Sequence, residues 1–340
     1  QVIYSKQKFE AIDRAEAEAS LADVQEQTVQ GEIGIQVIES YLQLLQLQRQ
    51  AEVVKREKES HQRKLAQSED MLSRGFATRS LKLDAQARVD EVAAQLTNLE
   101  NRKNVARQRL RQLVGRTVGE LRPLRESAWK GTPQLLARPW DEFALAHAPT
   151  LERVRAELEQ ARANRNFERA GHLPELSLRA RYTDNDTFAT DLRQEARVDL
   201  EVSVPIYLGG STSARTRGAE HRLTSAQYTL ENEVQNVRVS VDEIRARLKG
   251  AYSNIQSLEA ALRSSRAAVE GSEEGFAAGV GSLDAVLDAR NRQSQVEQDM
   301  IEAIYTNLFH QFELRYVGGK LSVADLAAVE VNDGLQGVSR

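Results

Sequence analysis

The two halves of the sequence repeat one another, and that repetition limits the folds open to the chain more than any other feature. The run QVIYSK from Gln1 matches VPIYLG from Val204, with Ile3 over Ile206 and Tyr4 over Tyr207. RGFATRSLKLDAQAR, Arg74 to Arg88, matches AGVGSLDAVLDARNR, Ala278 to Arg292, and sets Gly75 over Gly279, Leu83 over Leu287 and Asp84 over Asp288. LVG ending at Gly115 matches YVG ending at Gly318. The offsets are 203, 204 and 203, so one residue is inserted between the first match and the second. Each match is weak, but together they describe one unit used twice. That unit is the end of a strand, a very long helix, a tight turn, a shorter second helix and an irregular segment.

The helical part follows from punctuation and period. None of the six prolines falls within 7–73, 80–115 or 211–275. The first helix of each repeat is predicted to run about 65 residues, or about 100 Å at 1.5 Å per residue, and its partner roughly half that. In the second repeat Val234, Val241, Leu248, Ile255, Leu262 and Val269 recur every seven residues, with Val237, Ile244, Ala251 and Leu258 at the alternate core position. Such spacing is the seam of a coiled coil. The partner helix of the first repeat carries Ala85, Val92, Leu99, Ala106 and Leu113, with Val89, Leu96 and Leu110 between them and only Lys103 interrupting. From Val29 to Leu45 the apolar residues form two stripes: Val29, Ile33, Val37, Tyr41 and Leu44 on one, Ile35, Ile38, Leu42 and Leu45 on the other. A helix sticky on two sides packs against two neighbours, as a wall of helices requires. Heptads alone do not separate a wall from any other long coiled coil. Gly75 and Gly279–Gly281 mark the reversals, because glycine permits the conformations a tight turn needs.

The segment between the halves has period two instead. Leu176, Leu178, Ala180 and Tyr182 fall on one face, with Ser177, Arg179, Arg181 and Thr183 on the other. After the polar, turn-like TDNDTFATD the pattern resumes: Ala196, Val198, Leu200, Val202 and Val204 against Arg197, Asp199, Glu201 and Ser203. Each run is about ten residues, the length a tilted strand needs to cross a bilayer. The apolar face then meets lipid, and Arg179, Arg181, Arg197, Asp199 and Glu201 face an aqueous lumen. The alternative is an amphipathic hairpin on a soluble core, but no globular core is visible elsewhere for it to cover. Two strands, or four with a pair from the first repeat of which QVIY is the remnant, leave edges that lipid does not tolerate. Several copies of the chain are therefore expected to close one barrel.

Composition removes other chemistry. The charge of −4 is interspersed, without the basic stripe that nucleic acid demands. There is no cysteine, which excludes thiol catalysis, thiolate metal sites and disulfides. His61, His147, His172, His221 and His310 are scattered without ligand spacing, so no metal is expected. LGGS at Gly209 lacks the lysine and spacing of a phosphate loop. No cofactor is expected and no catalytic pair of acids stands out, so the chain is read as not an enzyme. No run of about 18 apolar residues marks a membrane helix. The first ten residues are not a signal peptide and open inside a motif, which suggests that the natural start lies upstream.

HLPELSL entering the first alternating run, VPIYLGG leaving the second, and the turn AGVGSLDAVLDARN together resemble the TolC outer-membrane efflux family. The resemblance covers essentially the whole chain, in order, through both repeats. It implies a mostly α fold with a small β segment: a homotrimer whose twelve-stranded barrel in the Gram-negative outer membrane continues into an α-helical barrel across the periplasm. It implies a periplasmic adaptor docked at the hairpin tips, here Arg74, Gly75, Phe76, Ala77, Thr78 and Arg79 with Gly279, Val280, Gly281 and Ser282, and an inner-membrane transporter behind the adaptor. In the family the second tip carries an aromatic, an arginine and acidic residues that constrict the pore. The matching positions here are Phe276, Gly281, Ala285 and Asp288. Only Asp288 keeps its acidic type, with Asp284 offset by one and Asp84 its counterpart in the first repeat. An acidic ring of Asp288 is one reading and a solvated helix residue the other. Arg74 and Arg79 are expected to pair with Asp284 or Asp288.

The expected divisions are 1–5, remnant of a barrel strand; 6–115, the first hairpin, with its tip near 74–80; and 116–148, an equatorial segment of short elements. There follow 149–172, a helix leading to the barrel; 173–207, two barrel strands; 208–316, the second hairpin, with its tip near 277–284; and 317–340, a C-terminal equatorial segment and tail. The function expected is a passive exit duct of a tripartite efflux or type I secretion system. A periplasmic adaptor should carry one long hairpin, not two, and a coiled-coil scaffold leaves the alternating strands unexplained.

Overall fold

A computed structural model describes residues 2–76, 78–119, 121, 128–184 and 194–321. In chain order the elements are β1 (Val2–Ser5), α1 (Lys6–Ser73), α2 (Arg79–Val114), α3 (Thr132–Leu136), α4 (Trp140–His147), α5 (Pro149–Ala170), β2 (Glu175–Asp184), β3 (Gln194–Ser203), α6 (Ser211–Ala277) and α7 (Leu283–Val317). A short 3-10 turn over Ala128–Gly131 precedes α3. The two repeats appear as helices of 68 and 67 residues with partners of 36 and 35. The tail 322–340, residue Ala77 of the first tip and part of the equatorial segment lie outside the described residues.

The chain divides into two compact units: residues 1–30 with 147–238, and residues 31–146 with 239–340. In the first unit α5 presents Leu151, Val154 and Leu158 at three- and four-residue spacing, so all three fall on one buried face. Leu21 of α1 and Ala219 and Val237 of α6 are buried in the same unit. The Arg14 guanidinium lies 4.1 Å over the Phe167 ring, joining the start of α1 to α5. The strands form one antiparallel sheet in the order β1-β2-β3. β1 meets β2 through Val2↔Ser177, Tyr4↔Leu176 and Ser5↔Glu175, with a bulge between Val2 and Tyr4.

In the second unit the two stripes of α1 divide their labour. Leu44, Leu47, Ala51 and Val54 pack against Val92, Leu99, Ala106 and Leu110 of α2. Ile38, Leu42 and Leu45 pack against Tyr305, Leu308 and Phe312 of α7. One helix therefore holds its own hairpin partner on one side and the second hairpin on the other. Of the predicted α6 seam, Val237, Val241, Ile244, Leu248, Ile255, Leu262 and Val269 are buried, whereas Val234, Ala251 and Leu258 are only half-buried. Trp129 packs with Ile255 and Ala303. Beside it Thr132 Oγ1 donates to the carbonyl of Trp129 at 2.7 Å, and Gln311 Nε2 donates to Asn307 Oδ1 at 2.9 Å. Gln311 Nε2 also donates to Thr132 Oγ1 at 3.2 Å, which ties the start of α3 to α7. Gly318 is required here: a Cβ would sit 2.6 Å from the Trp140 ring.

Candidate functional site

Two regions carry the residues singled out from the sequence: the strands and the hairpin tips. The β2–β3 register sets apolar opposite apolar, Leu176↔Val202, Leu178↔Leu200, Ala180↔Val198 and Tyr182↔Ala196. It sets polar opposite polar, Ser177↔Glu201, Arg179↔Asp199 and Arg181↔Arg197. Alternation along each strand thus becomes two chemically distinct faces of one ribbon. The apolar face is uncovered, with Val198 70% and Leu200 65% exposed. On the other face Arg179 Nη2 meets Glu201 Oε2 at 3.2 Å, diagonally across the pair, and Arg197 Nε lies 3.9 Å from Asp199 Oδ1. All four side chains remain largely exposed, so the pairs hold the charges in place without removing them from water.

The two tips have one construction. α1 ends in a turn where Gly75 takes φ +77°, and Phe76 N donates to Met71 O at 2.8 Å. α6 ends in a turn where Gly279 takes φ +76°, and Val280 N donates to Gly275 O at 3.0 Å. Glycine fits a positive φ without the steric cost other residues incur, and the bonds satisfy carbonyls at the helix end. Next, Thr78 caps α2 by accepting from Leu81 N at 3.3 Å, and Ser282 caps α7 by accepting from Ala285 N at 3.1 Å. Each turn pushes one apolar side chain into solvent, Phe76 at 77% and Val280 at 86% exposure. Arg74, Arg79 and Ser282 are exposed beside them.

Gly281 marks where this tip departs from the family pattern, and packing supplies the reason. A Cβ there would lie 2.9 Å from the backbone of Gly275 and Phe276, so the turn as built admits no side chain. Phe276 is half-buried, with Lys64 Nζ 5.8 Å from its ring centre.

The charged partners differ from the sequence expectation within the chain. Arg74 does not reach Asp284 or Asp288; it pairs with Asp70 at 3.0 Å, one turn back on its own helix. Asp288 is held by Arg88 of α2 at 3.0 Å, and Arg88 also meets Glu91 at 3.2 Å. Asp84 accepts from Ser80 at 3.4 Å, and Asp284 is exposed in the first turn of α7. The sequence reading missed Arg88, although Arg88 and Arg292 occupy equivalent places in the two matched runs. It also missed a buried polar seam between α1 and α7. There His61 Nε2 donates to Asn291 Oδ1 at 2.9 Å and Ser294 donates to Glu57, and at the exposed edge Arg56 meets Glu297 at 2.7 Å.

The family model for outer membrane efflux proteins matches residues 1–116 and 142–316. The alkaline protease secretion protein AprF of Pseudomonas aeruginosa is 28% identical over 351 residues, covering 98% of this chain and 70% of AprF. The outer membrane protein TolC of Vibrio cholerae is 28% identical over 346 residues, covering 99% of this chain and 78% of that protein. Among solved structures CusC superposes with a TM-score of 0.79 at 18% identity, covering 91% of this chain and 74% of CusC. The outer membrane protein VceC of Vibrio cholerae gives 0.77 at 16% identity, covering 93% and 77%. At those identities the structural likeness establishes the fold.

Proposed function

The chain belongs to the outer membrane efflux protein family, and we infer that it works as one of several identical subunits around a water-filled passage. It is an outer-membrane exit duct for efflux or type I secretion, seated in the Gram-negative outer membrane and reaching into the periplasm. The observation that carries the multi-copy reading is the ribbon of β1, β2 and β3, with one bare apolar face and one charged face. Three strands do not close, since the smallest membrane barrels have about eight. Lipid leaves no open edge unpaired, so sister chains supply the remaining staves. A homotrimer fits the family resemblance. Conduction is then passive: solute moves along the lumen, past Arg179, Arg181, Arg197, Asp199 and Glu201, and no chemistry is asked of the chain.

The tips are the adaptor-docking elements in this reading, with Phe76 and Val280 the apolar contacts. An inner-membrane transporter behind the adaptor supplies the energy. Asp288 is the gate acid, and the Arg88 contact sets its position. Two measurements test this. Purified from membranes in detergent, the chain should run as a trimer that resists mild denaturant; a monomer soluble without detergent overturns the duct. In planar bilayers Asp288→Ala should change single-channel conductance or lower cation selectivity. An unchanged trace in both respects removes Asp288 from the gate.

A further inference from the structure

After β3 the chain runs through Val204–Leu208 and turns at Gly209 and Gly210, with φ +60° and +79°, into the N-terminus of α6. Ser211 N donates to Leu208 O at 3.2 Å and Ala214 N to Gly210 O at 3.0 Å. The N–H groups of Thr212 and Ser213, between them, meet no acceptor among the described residues. A small cavity opens at this point, lined by His172, Pro205, Tyr207, Gly210, Thr212 and Ser213 among others. Thr212 is only 5% exposed, yet its hydroxyl has no hydrogen-bond partner. Buried hydroxyls are ordinarily partnered, so an orphan beside a cavity indicates a missing acceptor or donor.

The surroundings favour an anion. No acidic residue occupies the first turn of α6, and its 67 residues direct the positive end of a helix dipole at the cavity. Arg215 and Arg217 are exposed on the next turn. Arg215 is shared with Glu168, 3.8 Å away, which tempers its charge. Ile206, 94% exposed, and Tyr207 flank the site with uncovered apolar and aromatic surface. Tyrosine beside bare apolar residues is typical of the depth at which lipid headgroups lie.

We propose that this pocket binds a phosphate group, held by the Thr212 hydroxyl, the free N–H groups of Thr212 and Ser213 and the cations of the next turn. In the membrane the phosphate is that of a phospholipid headgroup. The lipid source rests on the outer-membrane placement argued above; the anion site does not.

The test is calorimetric titration of the detergent-solubilised full chain with inorganic phosphate at fixed ionic strength, chloride serving as reference. Saturable binding is expected, weakened about tenfold in Thr212→Val, which keeps the shape and removes one hydrogen bond to a charged group. Ser213→Ala, at an exposed position, is expected to weaken it less. No saturable binding by the native chain, or equal affinity in Thr212→Val with an unchanged melting curve, overturns the site. The second arm is native mass spectrometry from mixed micelles containing phosphatidylglycerol or a phosphate-free diacylglycerol. Retention of the phospholipid alone, lost in Thr212→Val, supports the headgroup. Phosphate binding without phospholipid retention refutes the lipid source and leaves a site for free phosphate. Trimer formation in detergent, measured on the same samples, reports separately on the duct.

Discussion

Leu200→Arg is expected to keep the chain from accumulating as an assembled protein in the outer membrane. Leu200 lies near the middle of β3, faces Leu178 across the ribbon and is 65% exposed, with Val198 and Val202 uncovered on the same face. If that face meets hydrocarbon, an arginine near the bilayer midplane costs about 2–4 kcal/mol. The cost recurs in every subunit of the assembly. Ten-residue strands give the guanidinium a long way to reach either interface. The measurement is the fraction of chain in outer-membrane gradient fractions and in the denaturant-resistant oligomer, both expected to fall at least about tenfold. Asp199→Asn, one residue earlier and on the opposite face, should assemble like the native chain and alter ion selectivity instead. Normal assembly of Leu200→Arg would mean that this face does not touch lipid, and the barrel reading would go with it.

The contrast between those neighbouring positions shows why the strands could be read from sequence. Period two fixes which residues share a face whatever the strand packs against, so Leu176 through Tyr182 and Ala196 through Val202 needed no tertiary knowledge. The helices were legible for a similar reason. Proline-free heptads state both length and buried side, and the double stripe of α1 names two partners. The tips were legible because Gly75 and Gly279 carry local information, a positive φ; the capping bonds of Thr78 and Ser282 were not read from the sequence. The ion pairs were not. Arg88 reaches Asp288 only because α2 and α7 settle at one height relative to each other, and no local pattern records that height. Arg74 had an acid one turn behind it, and a neighbour supplied by the helix itself competes with any distant one. The α1–α7 seam hid for another reason. Glu57, His61 and Ser294 read as solvated residues until a second helix covers them, where Ser294 bonds to Glu57 and His61 Nε2 to Asn291 while His61 Nδ1 has no partner among the described residues. Gly281 looked like a loss of gate chemistry, whereas the backbone of Gly275 and Phe276 leaves its side chain no room.

Phe312→Ala is expected to cost about 3–5 kcal/mol, the range for deleting a buried aromatic ring from a packed core. Phe312 is 1% exposed and belongs with Tyr305 and Leu308 to the face of α7 that meets Ile38, Leu42 and Leu45 of α1. The two hairpins are distant in sequence, and here Ile38, Leu42 and Leu45 meet Leu308 and Phe312 through apolar side chains. The aliphatic side chains and the ring gain nothing comparable from water once the packing is lost. Elsewhere the same two helices meet through Glu57, His61, Asn291 and Ser294, polar groups that water can partner when the helices part. The apolar cluster should therefore carry more of the adhesion between hairpins than the polar seam. A native stability of about 5–15 kcal/mol makes the predicted loss a large fraction of the total. The check is the urea midpoint by far-ultraviolet circular dichroism in detergent, at one protein concentration because assembly contributes to it. Thr306→Ala, exposed on the same helix, should move the midpoint by no more than about 0.5 kcal/mol equivalent. A Phe312→Ala midpoint within that same narrow margin would show that the α1–α7 contact is not a packed interface, and the pairing of the hairpins would have to come from neighbouring subunits instead.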